Sequence, residues 1–89
     1  MVFIRGKTAH LTPKELEVLR YLTQHPNQTV SHRELLQAVW GPDYGDEVDY
    51  VRAVIKNLRK KVEQNPEEPQ YILTEPWIGY RLHGAPEAA

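Results

Sequence analysis

Residues 49–61 read DYVRAVIKNLRKK, and the spacing of their side chains decides how the chain folds. Val51, Ile55, Leu58 and Val62 recur at steps of four, three and four, with Val48 three residues before them. That is one apolar stripe along a helix. Arg52, Lys56 and Arg59 recur at steps of four and three on a different stripe, with Lys60 beside it. One face is suited to burial, and another presents a row of cations with almost no acid among them. A rigid, one-sided row of Lys and Arg is what a polyanion such as DNA requires. The pattern equally suits the solvated face of an ordinary surface helix, and this helix alone leaves both readings open.

The helix is predicted over about residues 47–64, roughly 27 Å at 1.5 Å per residue, with Asn65-Pro66 as its stop. Before it, residues 41–46 hold two Gly and a Pro, which predicts a loop. Ser31-His32-Arg33-Glu34 forms a capping box, and Leu35, Leu36, Val39 and Trp40 make the apolar face of a short helix. Thr12-Pro13-Lys14-Glu15 starts another, with Thr12 as cap, Pro13 in the first position and Glu15 closing a capping box. Its stripe is Leu16, Leu19 and Leu22, with Val18 and Tyr21 beside it, and His25-Pro26-Asn27 ends it. Residues 71–74 and 79–82 read as strands around Glu75-Pro76-Trp77-Ile78, with Ile78, Tyr80 and Leu82 toward one side and Arg81 toward the other. Residues 2–5 and 8–11 suggest a short hairpin around Gly6-Lys7, and 84–89 is a small-residue tail with no reason to be ordered.

Two capped helices, a loop, a basic third helix and a trailing hairpin predict an α+β fold, a winged helix-turn-helix with the hairpin as wing. The expected organisation is a short N-terminal strand pair (1–11), a winged-helix domain (12–83) and a tail (84–89). The length of 89 residues suits one small domain. The chain holds no cysteine, so it has neither disulfide nor thiolate metal site. It shows no long apolar run and no signal-peptide pattern, which makes the cytoplasm the default location. A net charge of −1 argues against a general nucleic-acid binder. The distribution matters more: residues 52–61 carry five Lys or Arg and no acid, so the rest is net acidic. This suggests a local binding face on a soluble body.

Four segments in order resemble one family: LTPKELEVLRYL (11–22), VSHRELLQAVWG (30–41), YVRAVIKNLRKKVE (50–63) and ILTEPWIGYRL (72–82). Over about residues 10–83 the chain resembles the winged-helix effector domain of OmpR/PhoB-class response regulators, and the run YVRAVIKNLRKKVEQNP is most similar to KdpE-like members. The resemblance implies sequence-specific binding of double-stranded DNA, with the third helix in the major groove and the wing at the minor groove or backbone. It makes Arg52, Lys56, Asn57, Arg59 and Lys60 groove-facing candidates, with Thr74 and the 76–78 turn, Trp77 included, in the wing. It further implies that the loop Pro42, Asp43, Tyr44, Gly45 and Asp46 meets RNA polymerase, and that two protomers pair on tandem half-sites.

The chemistry separates these candidates. Arg bonds a guanine edge bidentately, each good pair being worth roughly 1–3 kcal/mol of discrimination. Lys is a point charge better suited to phosphate. Arg52 and Lys56 are therefore expected near bases, and Arg59, Lys60 and Thr74 at the backbone. Asn57 can pair with adenine but stands at the stripe's edge. Val54 is either a thymine-methyl contact or a half-buried packing residue.

The chain departs from the family in two places. The family domain opens with a four-stranded sheet, whereas only eleven residues precede Thr12 here. Its wing turn commonly carries Arg-Gly where this chain has Pro76-Trp77, so the usual minor-groove arginine is missing. Within these residues there is also no phosphate-accepting receiver domain. Nothing points to an enzyme, a metal or a cofactor. His10, His25, His32 and His83 are scattered without ligand spacing, and His32 reads as an exposed first-turn residue. Trp40 and Tyr80 read as core, and Arg81 as structural. Asp43, Asp46, Glu47 and Asp49 lack calcium-loop spacing and suit the first-turn dipole of the third helix. The competing function is a protein-interaction module that kept this fold without reading DNA, suggested by the near-neutral charge, the missing wing arginine and Trp77. A basic strip broken by Glu47, Asp49 and Glu63 would favour that module.

Overall fold

The computed structural model describes residues 2–4 and 7–83. The expected tail, 84–89, lies outside them, as do Met1, Arg5 of the expected first strand and Gly6 of the expected turn. Strands β1 (Val2–Ile4) and β2 (Lys7–Ala9) form an antiparallel pair with Phe3 opposite Thr8. Helices α1 (Pro13–Gln24), α2 (His32–Trp40) and α3 (Val48–Val62) follow, with strand β3 (Thr29–Ser31) between the first two. Strands β4 (Ile72–Glu75) and β5 (Gly79–Leu82) close the fold as a hairpin. This is the expected winged helix-turn-helix. No helix among the described residues is long and apolar enough to cross a membrane.

Helix α1 starts as its sequence dictates. The Thr12 hydroxyl accepts from the Glu15 N–H at 3.2 Å, and the Thr12 N–H donates to Glu15 Oε1 at 3.0 Å. Its buried face is rotated from the expected leucine stripe. Val18 and Leu22 are fully buried together with Glu15, while Leu16 and Leu19 are only half-buried. Three-residue steps fall about 60° short of a full turn each, so a 16/19/22 stripe slants away; steps of three then four, 15/18/22, return to one line. Glu15 tolerates burial because Lys61 of α3 donates to Oε1 at 2.6 Å. Burial pushes its carboxyl up, but Lys61 and the Thr12 bonds outweigh this and hold it below the usual value.

At α2 the Ser31 hydroxyl accepts from the Glu34 N–H at 3.0 Å, but the expected box is only half made. The Glu34 carboxylate turns to the Tyr21 hydroxyl and ties α2 to α1. Gly41 ends α2 at φ 131°, a backbone that a side chain would strain.

Strand β3 lies where the sequence reading placed only a connection. It pairs antiparallel with β5, Val30 opposite Tyr80 and Ser31 opposite Gly79, giving a three-stranded sheet in the order β3-β5-β4. Three residues carry too little alternation to announce a strand; β5 creates it by offering an unpaired edge. The wing corrects a second expectation. Tyr80 and Leu82 turn inward, but Ile78 precedes the strand and is exposed.

The apolar stripe of α3 is fully realised: Val51, Ile55, Leu58 and Val62 are buried against Val18, Leu22, Leu35 and Leu36. The helix is shorter than the predicted 47–64, because Glu63 leaves helical geometry at φ −89°, ψ 143°. Its carboxylate, only 4% exposed as a residue, accepts from the N–H groups of Gln70, Tyr71 and Ile72 at 2.9, 3.0 and 2.8 Å. An anion shared among three backbone donors anchors the entry to β4 and takes Glu63 off the surface.

Candidate nucleic-acid interface

With its apolar stripe turned inward, α3 presents Arg52, Lys56, Asn57 and Lys60 to solvent. Arg52 keeps 63% of its side chain exposed and meets Asp49 at only 3.5 Å, a surface pair of little strength. Beside this row runs a groove of about 650 Å³ between α3, residues 65–67 and the wing. Arg52, Ile55, Lys56, Arg59, Lys60 and Tyr80 line it on one side, Asn65, Pro66 and Glu67 on the other.

The three acids that threatened to interrupt the strip are disposed differently. Glu63 is buried against β4. Glu47 turns back into the preceding loop, where Oε1 accepts from the Gly45 and Asp46 N–H groups at 3.1 and 2.9 Å. Those bonds hold its carboxyl below the usual value. Only Asp49 stands near the row, at its N-terminal end. From Arg52 to Lys60 the exposed strip is unbroken by acid, as DNA binding requires.

Arg59 differs from its neighbours. Its guanidinium is half-buried and donates to the Ile72 carbonyl from Nε at 3.1 Å and from Nη2 at 2.7 Å, and from Nη2 to Thr74 Oγ1 at 2.8 Å. It also lies over the Tyr80 ring, 5.7 Å from the centroid. Burial pulls its pKa down, opposed by Tyr80 and Glu63. Arg59 thus clamps the wing to α3. The Thr74 hydroxyl, as the acceptor, keeps its own proton for another partner. Within the wing, Arg81 Nε donates to Glu75 Oε1 at 2.7 Å, so Arg81 is structural, as expected. Val54 is half-buried against the core. Tyr80 is buried, and Trp40 is half-buried against the core.

His32 was not legible as part of this face. It is half-buried at the start of α2, its ring edge-on to Tyr80 with centroids 5.1 Å apart. Its backbone N–H donates to the Ile78 carbonyl at 3.1 Å. It thereby joins α2 to the wing turn, beside Arg52. No spacing pattern could have revealed it, since the contacts come from β5 and α3. Burial first, and the Arg52 charge second, pull its imidazole below the ordinary 6.5, against the Ile78 backbone, which favours the protonated ring. The folded state therefore binds this proton less readily than the unfolded chain. The stability involved is complete above pH 6.5 and is lost as pH falls through the lowered value. His32→Phe, which keeps a ring against Tyr80, is expected to flatten the decline in thermal midpoint between about pH 7.5 and about pH 5. An identical decline in both proteins would exclude His32 as its source.

The 41–46 loop is built on aromatic rings. Tyr44 and Trp40 flank Tyr50 at 6.2 and 6.1 Å, Gln37 Nε2 donates to the Tyr44 carbonyl at 3.0 Å, and Lys14 lies over Trp40. Pro42, Asp43 and Asp46 remain exposed.

A winged helix whose third helix carries a solvent-facing row of cations belongs to a class of nucleic-acid readers. Residues 6–82 match the family model described as "Transcriptional regulatory protein, C terminal", and the chain belongs to that family. Among solved structures it is similar to the response regulator DrrB of Thermotoga maritima, described as an OmpR/PhoB homologue, at 35% identity and a TM-score of 0.80. That match covers 90% of this chain but 36% of DrrB, so the chain spans about a third of that regulator. The RstA DNA-binding domain of Klebsiella pneumoniae, solved in complex with the RstA box, matches at 28% identity and a TM-score of 0.80, over 90% of this chain and 80% of that one. The CpxR DNA-binding domain of E. coli matches at 31% identity and 0.74, over 90% and 78%.

Proposed function

We propose that this domain binds double-stranded DNA sequence-specifically, as the output domain of a cytoplasmic transcriptional regulator of the two-component response-regulator type. The observation that carries this is the unbroken exposed row Arg52, Lys56 and Lys60 on a helix whose opposite face forms the core. In this reading α3 enters the major groove. Arg52 reads a guanine edge, Lys56 lies near bases, and Asn57 reaches adenine from the row's edge. Lys60 and Thr74 meet phosphate, and Trp77 contacts the duplex from the wing. Arg59 offers phosphate its one guanidinium nitrogen not engaged with β4, while holding the wing in place. The loop of Pro42, Asp43, Tyr44, Gly45 and Asp46 is the candidate contact for RNA polymerase, and a second protomer pairs on tandem half-sites.

The test is retention on a pool of random duplexes at two salt concentrations, followed by sequencing. With Arg59 and Lys60 of two paired protomers at phosphate, log K should fall against log[salt] with a slope of about −4, and a repeated motif should be enriched. Retention without enrichment would favour the second reading, a protein-interaction module. That reading draws its support from the fully exposed Trp77.

A further inference from the structure

The wing tip is unlike the rest of the candidate interface. Trp77 is 100% exposed and the adjoining Ile78 56% exposed, so two of the three large exposed apolar side chains among the described residues stand side by side. Trp77 also holds φ at 68°, a left-handed backbone that is strained for a bulky residue. Exposure and strain are both unfavourable, and no side-chain contact of Trp77 within the domain offsets the exposure. The tip presents no free charge, because Glu75 is paired with Arg81.

The tip is nevertheless fixed in place. The Ile78 N–H donates to the Glu75 carbonyl at 3.0 Å, and the Ile78 carbonyl accepts from the His32 N–H at 3.1 Å. Arg59 clamps β4 to α3, and Tyr80 of β5, which packs against the His32 ring, lines the same groove as Arg52, Lys56 and Lys60. The apolar tip is thus continuous with the cationic row. A neutral tip gains little from phosphate. A minor-groove base step, partly unstacked, offers an apolar slot for a rigid aromatic side chain. The backbone turn that carries this wedge is already ordered before binding.

We infer that Trp77, backed by Ile78, is a minor-groove wedge that enters a base step and selects it by deformability. The favoured steps are then the easily unstacked pyrimidine–purine ones, TA and CA/TG, at a fixed offset from the motif read by α3. This deepens the DNA-binding reading and rests on it. An indole replaces readout by groove width and charge with readout by ease of kinking.

The experiment selects from a random duplex pool with the 89-residue chain, Trp77→Ala and Trp77→Gly, and measures the bend of the selected duplexes. The wild-type pool should carry a major-groove motif plus a TA or CA/TG step at one offset, on bent duplexes. Both variants should keep the motif, lose the step and the bend, and bind the wild-type duplex about tenfold more weakly. Trp77→Gly, which relaxes the left-handed backbone, should do so with a thermal midpoint no lower than wild type. A wild-type motif without the step overturns the wedge and leaves the DNA-binding reading standing. So do variants that retain step and bend, or a Trp77 effect confined to self-association. A wild-type pool with no motif overturns the DNA-binding reading itself, and the wedge with it.

Discussion

Gly79→Ala is expected to cause the largest loss of stability. A Cβ at Gly79 would stand 1.9 Å from the Val30 carbonyl oxygen and 2.8 Å from Ser31 Cα. Both neighbours are backbone, so no rotamer change relieves the clash. Strand β3 must move off β5, withdrawing Val30 from the core and Ser31 from its place as the cap of α2. Overpacking of this severity costs about 3 kcal/mol or more. In a domain of this size that lowers the thermal midpoint by about 15 °C. DNA binding should fall with it, because His32 and the wing turn are joined through the same β3–β5 seam. Thermal unfolding followed by circular dichroism decides the matter; a midpoint within about 2 °C of wild type would show that the strands separate at little cost.

Removing both Arg52 and Lys56 side chains, as Arg52→Ala with Lys56→Ala, is expected to have the opposite profile. Both are exposed, and the weak Arg52–Asp49 pair is the only salt bridge among the described residues that involves either. The midpoint should therefore hold, since surface substitutions of this kind stay within about 0.5 kcal/mol. Affinity for the selected duplex should drop by about a hundredfold, with discrimination relaxed where Arg52 reads a base. If Lys56 meets phosphate rather than a base, the salt slope should also become shallower by about one. Full affinity in the double variant would sink the placement of α3 in the groove. Arg59→Ala is a poorer probe despite its place in the same sequence pattern. It removes three hydrogen bonds to Ile72 and Thr74, and should lower stability by about 2 kcal/mol while it weakens binding. Loss of binding there mixes wing displacement with lost charge, so Lys56 and Arg52 carry the cleaner test.

The difference between Arg59 and Lys56 marks the limit of what a sequence pattern conveys. Helical spacing places both on one stripe, and on the helix they do share a side. What separates them is β4, which arrives from thirteen residues downstream to take the Arg59 donors. Lys61 belongs to the same basic run, yet it faces Glu15 of α1 rather than the cationic row. Glu63 counted as an acid that could break the strip until the N–H groups of residues 70–72 drew it inside. Of the five cations in residues 52–61, three remain as an exposed outward row, and composition alone could not have chosen them.

What the sequence by itself determined is local in range. The cap of α1, the outward and inward faces of α3, the glycine stop of α2 and the turn between β4 and β5 depend on residues within about one helical turn or one hairpin, where backbone geometry sets which side chains meet. The family resemblance extended those local readings to a correct order of elements. Tertiary structure alone decided the existence of β3, the burial of Glu15, the clamp at Arg59 and the place of His32. Each depends on a partner that is remote along the chain. Such contacts join segments far apart along the chain, and no periodicity in a single segment encodes them.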